Sequence, residues 1–138
     1  MAPGKDCMTK LQRVTIKPDW YEPYNISLAI RAGGLLYLSG QAGIDEHGNT
    51  IGHGDFEAQA RQAFANLSKV LAAAGSDLSD VIKATIMIRD MAANLDTVIK
   101  LRGEFFSRPY PADTLIEVSS LAQPDWLVEI DVIAIDHQ

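Results

Sequence analysis

Two stretches near the C-terminus decide the fold. They are Tyr110-Pro111-Ala112-Asp113-Thr114-Leu115-Ile116-Glu117-Val118 and Leu127-Val128-Glu129-Ile130-Asp131-Val132-Ile133-Ala134-Ile135. Both are dense in β-branched residues, and the character of their side chains alternates from one residue to the next. This combination predicts two strands of a sheet.

The alternation also predicts which carboxylates share a face. In the second stretch the apolar residues at even positions form one continuous face, and Glu129 and Asp131 lie on the opposite one. The same counting in the first stretch groups Asp113 with Glu117, so we expect at least four carboxylates on one side of the sheet. Such a face is either solvated or lines a cleft, and the alternation alone leaves both open.

The rest of the chain supplies further strands and two helices. Short alternating runs predict strands at residues 12–17, 26–31, 35–40 and 81–89, with a proline-rich and aromatic-rich loop at 18–25. An apolar stripe between Asp55 as N-cap and Gly75 as terminator predicts the first helix. A second helix is expected from about Leu95 to Phe106, capped by Asn94.

The resulting order, β-β-β-α-β-α-β-β, predicts an α+β fold in which two helices cover one face of a mixed sheet. The other face combines carboxylates with apolar residues such as Met87, Leu115, Leu127 and Ile133. A half-apolar face of this kind is typical of an interface between subunits with clefts at its seams. We therefore expect a closed homo-oligomer.

Length and charge narrow the class of protein. The chain has 138 residues, which predicts a single domain at residues 11–138 after a flexible lead-in at residues 1–10. We expect no signal peptide, no membrane span and, with Cys7 as the single cysteine, no internal disulfide, which indicates a cytoplasmic protein. The net charge of −6 argues against nucleic acid as a partner.

Motifs for metal, phosphate or nucleophilic chemistry are missing. His47 and His53 lack the spacing of a metal site, and Gly52-His53-Gly54 lacks the further glycine and lysine of a phosphate loop, so we expect neither metal nor cofactor. Glu129 can act as a general base if it is partly buried, or it is a solvated strand residue. Ser39-Gly40 either presents backbone N–H groups to a ligand or simply ends a strand.

Several stretches taken together resemble the Rid family, also called YjgF, whose members include enamine and imine deaminases. The resemblance covers about residues 20–135 and rests on these pieces: Pro23-Tyr24, Leu36-Tyr37-Leu38-Ser39-Gly40-Gln41, Gln59-Ala60-Arg61-Gln62-Ala63 with Asn66-Leu67, Ala72-Ala73-Ala74-Gly75 with Val81-Ile82-Lys83, Tyr110-Pro111-Ala112, Glu117-Val118 and Val128-Glu129-Ile130. It implies a chorismate-mutase-like fold and a homotrimer with three clefts between subunits.

The resemblance also implies site residues. Glu129 matches the glutamate thought to orient the hydrolytic water, and the substrate-binding positions fall on Tyr24, Ser39, Gly40, Asp113 and Leu115. Asp113 stands where the deaminases have an arginine that pairs with the substrate carboxylate, and Leu115 replaces the cysteine of many members. The asparagine that follows the fourth strand in the family falls on Ala92 without gaps, with Asn94 two residues further on.

The exchange of arginine for Asp113 predicts a different ligand. At 4 Å and an effective dielectric constant near 20, a carboxylate facing Asp113 meets a repulsion of about 4 kcal/mol in place of an attraction of similar size. We therefore expect 2-imino acids not to be substrates. Whether Arg89, Arg108 or Asn94 compensates is left open.

Three functions compete on these grounds. The first is hydrolysis of an enamine or imine in an intersubunit cleft, with Glu129 as the water-orienting base. The second is non-catalytic binding of a small amine by Asp113, as in a regulatory protein. The third is endoribonuclease activity, which the acidic chain and the lack of a general-base histidine disfavour.

Overall fold

The computed structural model describes residues 10–138. The lead-in predicted at residues 1–10, except for Lys10, and the assessment of Cys7 lie outside the described residues.

A seven-stranded mixed sheet forms the centre of the described chain, in the order β1-β2-β3-β7-β5-β6, with β4 pairing to β7. The strands are β1 (Gln12–Val14), β2 (Ala29–Ala32), β3 (Leu35–Leu38), β4 (Gln41–Ala42), β5 (Val81–Ile88), β6 (Ala112–Glu117) and β7 (Val128–Ile135). The helices are α1 (Phe56–Ala73) and α2 (Met91–Phe105), with short 3-10 turns at Glu22–Tyr24 and Leu78–Asp80. Among the strands of residues 10–138, only β5 and β6, joined through α2, pair in parallel. The predicted α+β fold is confirmed, with β4 as an additional short strand.

Helix α1 forms where the sequence predicts it. The Asp55 side chain accepts a hydrogen bond from the Ala58 N–H at 3.0 Å, which satisfies one of the free donors of the first turn. Its apolar stripe, including Phe64 and Leu67, is fully buried against the sheet. Gly75 adopts a left-handed φ of 81° just beyond the end of the helix, a conformation that favours glycine.

Helix α2 begins four residues earlier than predicted. It starts at Met91, and its N-cap is Asp90, whose side chain accepts from the Ala93 N–H at 3.2 Å. The prediction that Asn94 caps this helix is wrong, because the residues before it favour helix and already have a capping carboxylate. The Asn94 amide instead donates to the carbonyls of Arg89 and Asp90, at 3.0 and 3.1 Å.

The predicted face of four carboxylates is also wrong. Strand β6 pairs with β5 so that Asp113 lies beside Ala84 and Leu115 beside Ile86, and both of these β5 residues are buried under the helices. Glu129 lies beside Met87 on the other face. Paired residues point to the same side of a sheet. The two strands therefore turn their acidic residues to opposite faces, a difference that depends on strand register and cannot be read from alternation within one strand.

The face of the sheet opposite the helices is open and partly apolar. Its exposed large residues include Tyr37 (45% exposed), Ile116 (44%) and Ile135 (37%). Leu115, expected on this face, instead packs against the core on the helix side. In residues 10–138 there is no helix whose length and apolar character would suit a membrane span.

Candidate functional site

A cavity of about 330 Å³ lies where the loops at one end of the sheet meet β7. Four segments build it: the loop between β1 and β2, the end of β3 with the loop that follows β4, the loop between β6 and β7, and β7 itself. The lining residues are Trp20, Tyr21, Tyr24, Ile26, Ser39, Gly40, Ile44, Gly48, Ala122, Gln123, Trp126 and Glu129. The size is in the range of small-molecule sites.

Glu129 provides the only carboxylate of this lining within residues 10–138. Its strand is fixed on both sides, since Glu129 is paired with Ala42 of β4 and with Met87 of β5. Partial burial raises the pKa of Glu129 above its ordinary value, and the negative charge of Asp131 raises it further. A carboxylate in this environment exchanges protons closer to neutral pH, which suits a general base.

Gly40 leaves the space that the Glu129 carboxylate occupies. A Cβ atom built on Gly40 would overlap Glu129 Oε2 and lie 2.8 Å from Cδ, closer than real Cβ atoms approach other atoms. The sequence suggested that Ser39-Gly40 either binds a ligand or ends a strand. In the structure Gly40 also sets the position of the acid, a role that the sequence did not suggest.

The backbone of Ser39 and Gly40 is held by its neighbours. The Ser39 N–H donates to the Leu28 carbonyl at 3.0 Å, and its hydroxyl donates to the Ser27 carbonyl. The Tyr21 hydroxyl donates to the Gly40 carbonyl. Burial raises the pKa of the Tyr21 phenol, and the charge of Glu129 acts in the same direction. Tyr21 therefore stays protonated and keeps this donation over the physiological range.

Two tryptophans form the deep walls and are fixed by polar contacts. The Trp20 indole N–H donates to the buried Gln41 side chain at 3.0 Å, and that of Trp126 donates to Thr50 Oγ1 at 3.1 Å. Gln59 of α1, fully buried, accepts from the Leu127 N–H at 2.9 Å and donates to the Asp125 carbonyl at 3.0 Å. It thus holds the loop that carries Trp126.

These supporting residues were not predicted as part of the site, although a signal existed. Gln59 and Asn66 are polar residues seven positions apart on the otherwise apolar stripe of α1. Polar side chains on a buried helix face need partners. Asn66 finds them in the carbonyls of Ala42 and Ile44, at 3.2 and 2.9 Å. Nothing comparable in the sequence pointed to Trp126, whose position depends on how the loop between β6 and β7 folds back.

Four of the six predicted site residues meet in this cavity, and two do not. Tyr24, Ser39, Gly40 and Glu129 all line it. Asp113 lies in a separate groove on the helix side of β6, and Leu115 packs against the core. Within one chain, neither of these two residues contributes to the Glu129 cavity.

Asp113 is paired with the guanidinium of Arg102, a residue that no pattern in the sequence links to the site. Arg102 of α2 forms an ion pair with it, donating through both Nη2 and Nε, the latter at 3.2 Å from Asp113 Oδ2. The charge of Asp113 is therefore compensated, which removes the basis for a simple repulsion of ligand carboxylates by this residue. Of the candidates named above, Arg89 donates to the Pro124 carbonyl at 3.2 Å, and Arg108 stacks on the Tyr110 ring at 5.3 Å.

Across residues 10–138, no three side chains of His, Cys, Asp or Glu come together in a way that could hold a metal ion.

Comparison with known proteins places this geometry in a family. The family model described as Endoribonuclease L-PSP matches residues 15–136. A RutC family protein of Pyrococcus horikoshii is 40% identical over 112 residues, covering 81% of this chain and 86% of the relative. The chain belongs to the Rid/YjgF family. A relative from Dermatophagoides farinae, 34% identical and covering 87% of this chain and 91% of its own, is named 2-iminobutanoate/2-iminopropanoate deaminase.

The Rid fold is confirmed by solved structures as well. The crystal structure of the Rid protein YyfA of Yersinia pestis superimposes with a TM-score of 0.83 at 33% identity, covering 91% of this chain and 99% of that one. These comparisons show the fold and the family. The family description refers to an endoribonuclease, whereas the relative from Dermatophagoides farinae is named a deaminase.

Proposed function

We propose that this protein hydrolyses an imine or enamine in the cavity around Glu129. The observation that carries the proposal is the Glu129 carboxylate itself, partly buried between aromatic walls and seated against Gly40. Its raised pKa lets it accept a proton from water and return it to a leaving nitrogen within the same turnover. The family resemblance supports this proposal, since it implies a water-orienting role for the same residue.

We further propose that the working form is a homotrimer. The exposed apolar residues on the open face of the sheet, among them Tyr37 and Ile116, support this assembly, because contiguous apolar surface is usually covered by a partner. Asp113 and Leu115, which lie outside the cavity of their own chain, can then contribute only to a neighbouring subunit's site. Sedimentation equilibrium should give three times the 15.1 kDa of one chain; a monomer over the micromolar range would refute the trimer.

The test of turnover uses one substitution and a matched control. Imines generated enzymatically in the assay should release ammonia faster with the parent protein than without it. Glu129→Gln keeps the size of the side chain and removes its proton-accepting ability, so the catalysed rate should fall by about a hundredfold or more. Glu104→Gln alters an exposed carboxylate of α2 and should leave the rate unchanged. Equal rates for the parent and Glu129→Gln would remove Glu129 from catalysis.

A second candidate is binding of an amine without turnover. The same cavity favours it, because a carboxylate flanked by aromatic rings is a good receptor for a cation. We do not propose RNA cleavage, since the cavity lining within residues 10–138 has no lysine, arginine or histidine to meet a phosphate, and the chain carries a net charge of −6.

A further inference from the structure

We propose that the Glu129 cavity selects imines that carry an aromatic or apolar substituent and no carboxylate, and binds them as iminium cations. This inference rests on the proposed function, and it names the substrate class of the same site. This substrate class differs from the 2-imino acids that appear in the name of the deaminase relative.

The walls of the cavity support an aromatic substituent. Trp20, Tyr21, Tyr24 and Trp126 supply four aromatic side chains to the lining, and Ile26 and Ile44 add apolar ones. Trp20, Tyr21 and Trp126 are almost wholly buried, whereas Tyr24 is 61% exposed. A volume of about 330 Å³ leaves room for a ligand with one ring, since a cavity of about 150 Å³ already binds benzene.

The charge of the cavity supports a cation and opposes an acid. Glu129 is the only charged side chain of the lining in residues 10–138. An iminium nitrogen there gains the attraction of the carboxylate and of the aromatic faces. A ligand carboxylate would lie in a low-dielectric space beside Glu129 with no cation among these lining residues, and we expect it to weaken binding at least tenfold.

Two of the cations near the cavity are already paired with carboxylates, and the Arg89 guanidinium donates to the Pro124 carbonyl at 3.2 Å. Lys69 lies 5.6 Å from the centre of the Trp20 ring and pairs with Glu46 at 3.1 Å. Arg13 pairs with Asp19 at 2.9 Å and also with Glu22. Recruiting either cation to a ligand carboxylate would require breaking an existing pair. The Arg102 guanidinium is likewise held in its own groove on the other face of the sheet.

The chemical step balances without any other reactant. The water oxygen forms a bond to the imine carbon while one water proton passes to Glu129, which gives a neutral carbinolamine from the iminium ion. Glu129 then returns the proton to nitrogen, the C–N bond breaks as the C=O bond forms, and the hydroxyl proton passes to the departing nitrogen, so that the products are the carbonyl compound and ammonium. Nothing is oxidised or reduced, and the carboxylate ends in its starting state.

The decisive experiment uses two imines that differ by one carboxylate. Benzaldehyde imine is produced from benzylamine by an amine oxidase that releases the free imine, and 2-imino-2-phenylacetate is produced from phenylglycine by an amino-acid oxidase. The parent protein should accelerate hydrolysis of the first over its own background at least tenfold more than it accelerates the second. Equal acceleration of both, or preference for the acid, overturns the substrate class while leaving imine hydrolysis intact. Acceleration of neither overturns the proposed function.

A binding experiment separates charge selection from turnover. Both tryptophans of the chain line the cavity, so their fluorescence reports its occupancy directly. Benzylamine should quench it at concentrations at least tenfold lower than phenylacetate, and the preference should disappear in Glu129→Gln. Tyr24→Leu should weaken benzylamine binding about two- to tenfold, and Tyr110→Leu, which changes an exposed tyrosine outside the cavity, should not. Tighter binding of phenylacetate than of benzylamine to the parent protein would refute the charge selection even if turnover is observed.

Discussion

Glu129 and Asp113 are two carboxylates of one sheet with opposite surroundings. Asp113 lies on the helix side of β6, where Arg102 compensates its charge. Glu129 lies on the open side of β7, in an aromatic cavity without a cationic partner among the described lining residues, and its pKa is raised. The difference shows that partner and strand register, more than residue type, decide which acid is available for chemistry. Each prediction below sharpens or breaks this contrast.

The largest effect is expected from Gly40→Ala. The new methyl group would occupy the place of the Glu129 carboxylate, which can swing away because it ends a flexible side chain. Imine hydrolysis should therefore fall by about a hundredfold, as for loss of the base itself, with the melting temperature lowered by only a few degrees.

Gly43→Ala provides the matched control for this substitution. A Cβ atom at Gly43 would lie 2.7 Å from the Gln59 Cα of α1, which cannot move without shifting the helix. This variant should lose stability by several kcal/mol. If Gly40→Ala retains full activity, Gly40 does not set the position of the acid.

A smaller effect is expected from the Asp113 pair. In a double-mutant cycle with Arg102→Ala and Asp113→Ala, urea unfolding should give a coupling energy of about 1 kcal/mol, as for a partly exposed ion pair with two hydrogen bonds. Neither Arg102→Ala nor Asp113→Ala should reduce the rate of imine hydrolysis strongly. Their loss of rate should be at least tenfold smaller than the loss caused by Glu129→Gln. A loss of turnover in Asp113→Ala that matches Glu129→Gln would abolish the contrast, and would place Asp113 in a neighbouring subunit's site.

The smallest effect concerns stability and pH. Because the pKa of Glu129 is raised in the folded protein, the folded state binds more protons than the unfolded state just above the ordinary glutamate value. The ionisation of Glu129 therefore lowers the free energy of unfolding as pH rises above the ordinary glutamate pKa. This loss of stability persists at higher pH. Glu129→Gln should raise the melting temperature at pH 7 relative to the parent, and the gain should shrink near pH 4. A gain that grows toward acid pH would contradict the direction of the shift.

Much of this molecule follows from local sequence patterns. The apolar stripe between Asp55 and Gly75 determines α1 almost to the residue, and alternation identifies β5 and β7. Alternation cannot predict which face of β6 packs under the helices. It defines two faces, and the pairing of β6 with β5 determines which of them meets the helices. The beginning of α2 was missed because Asp90 and Asn94 both suit a cap.

The site shows the same division. Tyr24, Ser39, Gly40 and Glu129 were found by resemblance, and the structure brings them together. The tryptophan walls and the Arg102–Asp113 pair depend on contacts between residues far apart in the chain, such as Trp126 with Thr50. No local pattern encodes such contacts, so the character of the cavity could not be read from the sequence.

The most direct measurement is the pH dependence of imine hydrolysis, corrected for background, in the parent protein and in Glu129→Gln. In kcat/KM, which reports the protein before substrate binds, the parent should lose activity toward acid pH along a limb whose pKa lies above the ordinary value for glutamate, since burial and Asp131 raise it. Glu129→Gln should lose both most of the rate and this limb. An unchanged limb in the variant would show that another group accepts the proton, and that the carboxylate in the aromatic cavity is not the base.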